Sequence, residues 1–158
     1  MSTVIPLLPC LTPATISEHE VTNARLSSLL DTAFIDHEID DEGDVYITDG
    51  VDFPLWVHIE SDRKLLVLFT YCAVDDQPAE NWLARVNDMN EKIAVPQFAY
   101  RRDAVWGSHW ITYDGGFNVR QLIKMLRIFG GAFRAGLQLR GRDTENPSEL
   151  TTIQRRPS

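Results

Sequence analysis

The stretch from Lys64 to Ala73 limits what this chain can fold into more than any other. Leu65, Val67, Phe69 and Tyr71 fall on one side of an extended segment, and Leu66, Leu68, Thr70 and Cys72 fall on the other. A strand apolar on both sides belongs in the middle of a sheet, with both faces covered. Helices cover one face of a small antiparallel sheet. The second face then needs another helix or a second subunit.

The neighbouring segments supply the rest of such a sheet. Val51, Phe53, Leu55, Val57 and Ile59 alternate with Asp52, Pro54, Trp56, His58 and Glu60. Pro54 cannot donate to a ladder, so it belongs at a strand entry or on an edge. Upstream, Phe34 to Ile39 and Val45 to Thr48 read as short strands around the turn Asp40 to Gly43. Asp49-Gly50 is a hairpin signal, because both positions tolerate positive φ. Downstream, Gln97 to Arg102 and Ser108 to Tyr113 read as two more strands before a Gly115-Gly116 break.

Three helices accompany them. Ser17 and Glu20 form an S-x-x-E capping box ahead of Val21, Ala24, Leu29 and Leu30, which places a helix over about residues 17–32. Pro78 suits the first position of a second helix running to about Ala94. Its apolar stripe is Ala79, Trp82, Leu83, Val86, Met89 and Ile93, with Asn87 and Asn90 interrupting its edges. Asn118 can cap a third helix carrying Val119, Leu122, Ile123, Leu126, Phe129, Phe133 and Leu137. Gly130-Gly131 inside that pattern indicates close backbone packing or a kink. The order α-β-β-β-β-α-β-β-α predicts an α+β domain: an antiparallel β-sheet with helices packed on one face. At 158 residues the expected organisation is a leader at 1–16, one domain at 17–137 and a flexible polar tail at 138–158.

The formal net charge of −8 argues against nucleic-acid and membrane partners. The charge is uneven. Residues 1–100 hold 18 carboxylates against 5 Lys and Arg, whereas residues 101–158 hold 5 against 10. The leader is interrupted by Pro6, Pro9 and Pro13 and has no Lys or Arg, which fits neither a signal peptide nor a membrane span. Cys10 and Cys72 form no disulfide framework and no zinc pattern, so a reducing cytoplasm is expected.

Candidate chemistry is sparse. Eight carboxylates lie between Asp36 and Asp52, but a calcium loop starting at Asp36 would place Asp41 where glycine belongs and Ile47 where the bidentate acid belongs. Solvated hairpins account for them better. His19, His37, His58 and His109 are scattered, and Cys72 has no neighbour that would lower its pKa. No nucleophile elbow, P-loop or dinucleotide fingerprint is present. These absences predict no catalytic residues, no metal and no cofactor.

Two surfaces remain. Trp56, His58 and Trp110, with Leu66 and Leu68 of the central strand, are expected on the outer sheet face. They would form a partner-binding or dimer surface there, unless helix packing covers it. Arg120, Lys124, Arg127 and Arg134 fall on one stripe of the last helix. That stripe is either a solvated face or a dock for acidic groups, including this chain's own acidic hairpins across a dimer.

The ordered combination of Leu29-Leu30, Asp41-Glu42-Gly43-Asp44-Val45, Leu65 to Phe69, Val86-Asn87-Asp88-Met89-Asn90 and Phe98-Ala99-Tyr100 resembles the YbjN family. These are bacterial proteins labelled sensory transduction regulators, similar in fold to type III secretion chaperones. The resemblance covers about residues 17–136. It implies helices on one face of the sheet, frequent dimerisation, binding of extended polypeptide segments and no catalytic residues. The leader, the Arg-rich tail and the aromatic stretch Trp106 to Trp110 depart from the usual pattern. The expected function is a non-enzymatic protein-binding module, chaperone-like or regulatory, acting as a homodimer on a protein partner or client segment. The alternatives are a regulatory subunit of one folded signalling partner and, further off, an unrecognised hydrolase or metal-dependent enzyme.

Overall fold

The computed structural model describes residues 15–139 apart from residues 75 and 77. Most of the expected leader and tail, and Cys10, lie outside the described residues. The chain opens with strand β1 (Thr15–Ile16), a 3-10 turn (Glu18–Glu20) and helix α1 (Asn23–Thr32). Strands β2 (His37–Ile39), β3 (Val45–Ile47), β4 (Leu55–Glu60) and β5 (Leu65–Ala73) follow, then helix α2 (Ala79–Lys92). Strands β6 (Gln97–Arg101), β7 (Ala104–Thr112) and β8 (Phe117–Asn118) lead into helix α3 (Val119–Gln138).

Six strands form one antiparallel sheet in the order β2-β3-β4-β5-β7-β6, while β1 and β8 pair separately. The doubly apolar strand β5 sits inside the sheet, between β4 and β7. Val45, Ile47, Leu55, Val57, Leu66 and Leu68 point to the helices, against Leu26, Leu29 and Leu30 of α1 and Leu122, Leu126 and Phe129 of α3. A second cluster joins Cys72, Phe98 and Val105 to Trp82, Val86 and Met89 of α2 and to Phe133 and Leu137 of α3. Each large side chain buried this way contributes about 1.5–3 kcal/mol.

Local chemistry explains most boundaries that differ from the sequence reading. The capping box forms, since the Glu20 carboxylate accepts from the Ser17 backbone N–H at 3.0 Å and from its hydroxyl. It caps only a 3-10 turn, because the Glu18 carboxylate is tied down by Lys64 Nζ at 3.1 Å and the Gly115 N–H at 2.9 Å. The α-helix begins later, where Thr22 Oγ1 accepts from the Arg25 N–H at 3.2 Å. Phe34 is not in a strand. It follows α1 in the left-handed conformation at φ +56°, donating to Asp31 O, while the Ile35 N–H reaches back to Leu30 O at 3.0 Å. This is a Schellman cap with phenylalanine where glycine is usual, a substitution that costs on the order of 1 kcal/mol.

Residues 51–54 precede the strand they were assigned to, and β4 starts at Leu55. Helix α3 is unbroken at Gly130, whose hypothetical Cβ would stand 3.0 Å from Phe53 O, so close packing against that segment explains the glycine. Arg102 and Asp103 both take left-handed φ values, +52° and +54°, giving a two-residue hairpin turn. That turn lets β7 begin at Ala104.

Candidate functional site

The face of the sheet away from the helices is the most distinctive surface of the molecule. Antiparallel partners share a face, so the register builds it directly. Tyr46 of β3 lies opposite Trp56 of β4, and Trp56 lies opposite Phe69 of β5. Tyr71 of β5 lies opposite Trp106 of β7. Their rings form a row: Tyr46 to Trp56 at 4.5 Å, Trp56 to Tyr71 at 5.6 Å and Tyr71 to Trp106 at 4.8 Å, all stacked. Phe69 stacks on Trp56 beside this row at 5.6 Å. The Arg101 guanidinium of β6 closes the row 4.2 Å from the Trp106 ring centroid. No described helix contributes to this cluster.

This row is a thin second core built from cross-strand pairs. Trp56 is only 2% exposed, although no described helix belongs to its cluster, because neighbouring rings cover it. The interior ring faces are spent on each other, so they offer no platform for stacking a nucleobase. The open part of the face lies beside the row. His58 of β4, Val67 of β5 and Trp110 of β7 stand in register across three strands. Trp110 is 47% exposed there.

His58 is held by a buried acid. Its Nδ1–H donates to Asp44 Oδ1 at 2.6 Å, with the Asp44 side chain 4% exposed and that of His58 49% exposed. The arrangement leaves Nε2 directed away from the acid. An acid-oriented imidazole is one part of a general base. Its in-register neighbour is Val67, which offers no nucleophile, and the described residues contain no group of three or more His, Cys, Asp or Glu placed to hold a metal ion.

The expected outer-face set is thus corrected in part. Trp56, His58 and Trp110 do share the helix-free face, but Trp56 lies within the row. Leu66 and Leu68 lie on the opposite side, 0% exposed in the core under α1 and α3. Their alternates Leu65, Val67, Phe69 and Tyr71 take the helix-free face. Alternation alone could not decide this, because both sides of β5 are apolar. His109 pairs with Leu68 and so faces the helices, away from His58, where burial holds its pKa below the usual value. Burial, with a smaller effect from Asp76, raises the Cys72 thiol pKa.

Arg120, Lys124, Arg127 and Arg134 are exposed along α3, in the helix layer and not on the aromatic face. Arg127 lines an open polar depression with Asp49, Gly50, Val51 and Asp52, so part of the charge asymmetry meets within one chain. The sequence reading missed Tyr46, Phe69, Tyr71, Trp106 and Arg101 as one unit. The available signal was one or two aromatics on each of several strands at positions that face alike once the registers are known.

Comparison with known proteins places this geometry in context. Residues 17–135 match the family model described as "T3SS (YopN, CesT) and YbjN peptide-binding chaperone 1". A crystal structure of YbjN from E. coli superposes with a TM-score of 0.61 at 11% identity, covering 74% of this chain and 89% of that one. The structure of the HopA1-SchA chaperone-effector complex contains a chain that superposes with a TM-score of 0.50 at 16% identity, covering 72% and 88%. No curated protein matches the chain. Among the described residues, no helix is long and apolar enough to cross a membrane.

Proposed function

Given that this chain belongs to the T3SS and YbjN peptide-binding chaperone family, we propose that it is a non-enzymatic protein-binding module holding a client segment on the helix-free face of its sheet. The observation that carries the reading is Trp110, a large aromatic half open to water beside Val67 and a ready-built aromatic row. Covering the exposed part of such a ring is worth on the order of 2 kcal/mol, enough to anchor a weak, exchangeable contact. The Asp44-oriented His58 adds one fixed polar group at the edge of the patch, which suits a main-chain donor or acceptor of the client. The burial of the Cys72 thiol suits a reducing, cytoplasmic setting.

A second copy of the chain is the other occupant consistent with this face, and a homodimer would bury the same Trp110. One pair of measurements separates the two. Sedimentation at micromolar concentration reads the oligomeric state, and binding of a reduced, alkylated model protein that cannot refold reads client holding. The expected result is client binding that Trp110→Ala weakens about tenfold, the equivalent of 1.4 kcal/mol. A dimer that dissociates in Trp110→Ala and never binds the unfolded protein would assign the face to self-association. Equal client binding by both proteins would remove the face from the mechanism.

A further inference from the structure

Strand β7 is longer than the neighbour that covers its outer edge. β6 pairs with it only from Ala104 to Ser108, while β5 pairs with it as far as Thr112. The main chain of the uncovered stretch has a definite direction. Phe98 turns its N–H and C=O away from β7 to the Asn90 amide, so its partner Gly107 turns toward β5. His109 and Ile111 follow Gly107, and the Tyr113 N–H reaches Lys64 O at 2.9 Å on that same side. Trp110 and Thr112 therefore present N–H and C=O to the edge that β6 leaves vacant, and no described strand takes them up. An unpaired edge beside a ring that is 47% exposed is a template for one more strand.

The chain itself holds a segment that fits. The leader joins the described fold at Thr15, which pairs with Asn118. Gly116 packs on the Ile16 carbonyl and donates to Tyr113 O at 2.8 Å, so that entry lies close to the Thr112 end of β7. Each extended residue spans about 3.3 Å, so a few residues before Thr15 suffice to reach the vacant edge. Residues 7–13 read Leu-Leu-Pro-Cys-Leu-Thr-Pro, with no charge among them. An outermost strand needs amides on its inner side alone. Leu8, Cys10 and Thr12 supply them, while Pro9 and Pro13 both fall on the outer side, where a missing N–H costs no bond. Leu7 and Leu11 share one face of such a strand and Leu8 and Cys10 the other, so either face brings an apolar side chain to Trp110. We propose that residues 7–13 add to β7 beside Trp110 and Thr112 as an outermost strand, which a client must displace to cover the Trp110 ring. The displacement rests on the client-holding reading, whose regulation it supplies; the added strand does not.

Hydrogen exchange of the full chain, read amide by amide, tests the added strand. The Trp110 and Thr112 amides are expected to be protected in the wild type. Cys10→Pro, which removes an inward amide, should speed both about tenfold, and Cys10→Ala should leave them unchanged. The His109 and Ile111 amides, bonded to β5, should stay slow in all three proteins, which separates a lost strand from a lost fold. Cys10→Pro should also bind the reduced, alkylated model protein about tenfold more tightly. Trp110 and Thr112 amides that exchange freely in the wild type, or stay protected in Cys10→Pro, overturn the proposal. Protection in Cys10→Pro that fades on dilution would assign the edge to a second copy instead. Client binding that needs Trp110 but ignores Cys10→Pro overturns the displacement. Amides that respond to Cys10→Pro, with no client bound by any variant, keep the added strand and remove the client-holding reading.

Discussion

Gly107 shows how much of this fold rests on one missing methyl. It lies in the middle of β7, where glycine is normally a weakness, yet a Cβ there would stand 2.6 Å from Cδ2 of Phe133 and 3.1 Å from Cγ of Pro96. Phe133 is wholly buried and stacks on Phe98 at 5.7 Å, so its ring has nowhere to go. Gly107→Ala is expected to destabilise the protein by about 1–3 kcal/mol, despite alanine's better backbone entropy. A chemical denaturation series would show it, and an unchanged midpoint would mean that α3 can shift away from the sheet. Nothing in Ser108-His109-Trp110 or its surroundings announces this contact, because Phe133 is 26 residues away in the chain. The doubly apolar β5 likewise left Leu66 and Leu68 interchangeable with Leu65 and Val67 until the partner strands set the register.

Among the elements, α2 and α3 are held by polar groups that look misplaced in sequence. Asn90 interrupts the edge of the apolar stripe of α2, and its amide explains why: Oδ1 accepts from the Phe98 N–H at 2.8 Å and Nδ2 donates to Phe98 O at 3.0 Å. The side chain thus acts as a one-residue strand against β6, covering part of an otherwise open sheet edge. Arg85 does similar work at the end of α3, donating through Nη2 to Leu137 O at 3.0 Å and Leu139 O at 3.1 Å while lying 4.1 Å from the Trp82 ring centroid. Asn90→Ala leaves both Phe98 groups without this partner and is expected to cost about 1–3 kcal/mol. Its sharper signature is faster hydrogen exchange at the Phe98 amide. Exchange at the wild-type rate would show that the edge is protected by something else.

Across the whole molecule, the N-terminal turn is latched to the sheet by charge. The Glu18 carboxylate is held below its usual pKa first by the Gly115 N–H and then by Lys64, while Lys64 is raised by hydrogen bonds to Glu18 and Asp114. A depressed carboxylate contributes stability above its unfolded pKa of about 4.3 and loses it as pH falls through the lower folded value. A raised lysine contributes below about 10.4 and loses it as pH climbs through the folded value. The latch is therefore expected to hold unchanged from about pH 5 to pH 10 and to open in acid before the core does. Amide exchange at Gly115, followed with pH, checks this against Glu18→Gln, which should open the latch at neutral pH. Exchange at Gly115 that does not change in the variant would place its protection elsewhere.

Taken alone, the sequence determined the class of fold, the order of its three helices and of the six strands of the main sheet, the interior position of β5, the three apolar helix stripes and the family, but not the β1–β8 pair. All of these follow from periodicity, capping residues and the ordered family pattern, which act along short stretches of chain. The tertiary structure decided what depends on residues far apart: which side of β5 meets the helices, why glycine stands at 107 and 130, and that single aromatics on β3, β4, β5 and β7 join in one row. It also showed that the left-handed residue after α1 is Phe34, not the start of a strand. A side chain's face is set by the register of its partner strands and by the helix that lands on it, and neither is written in the residue's own neighbourhood.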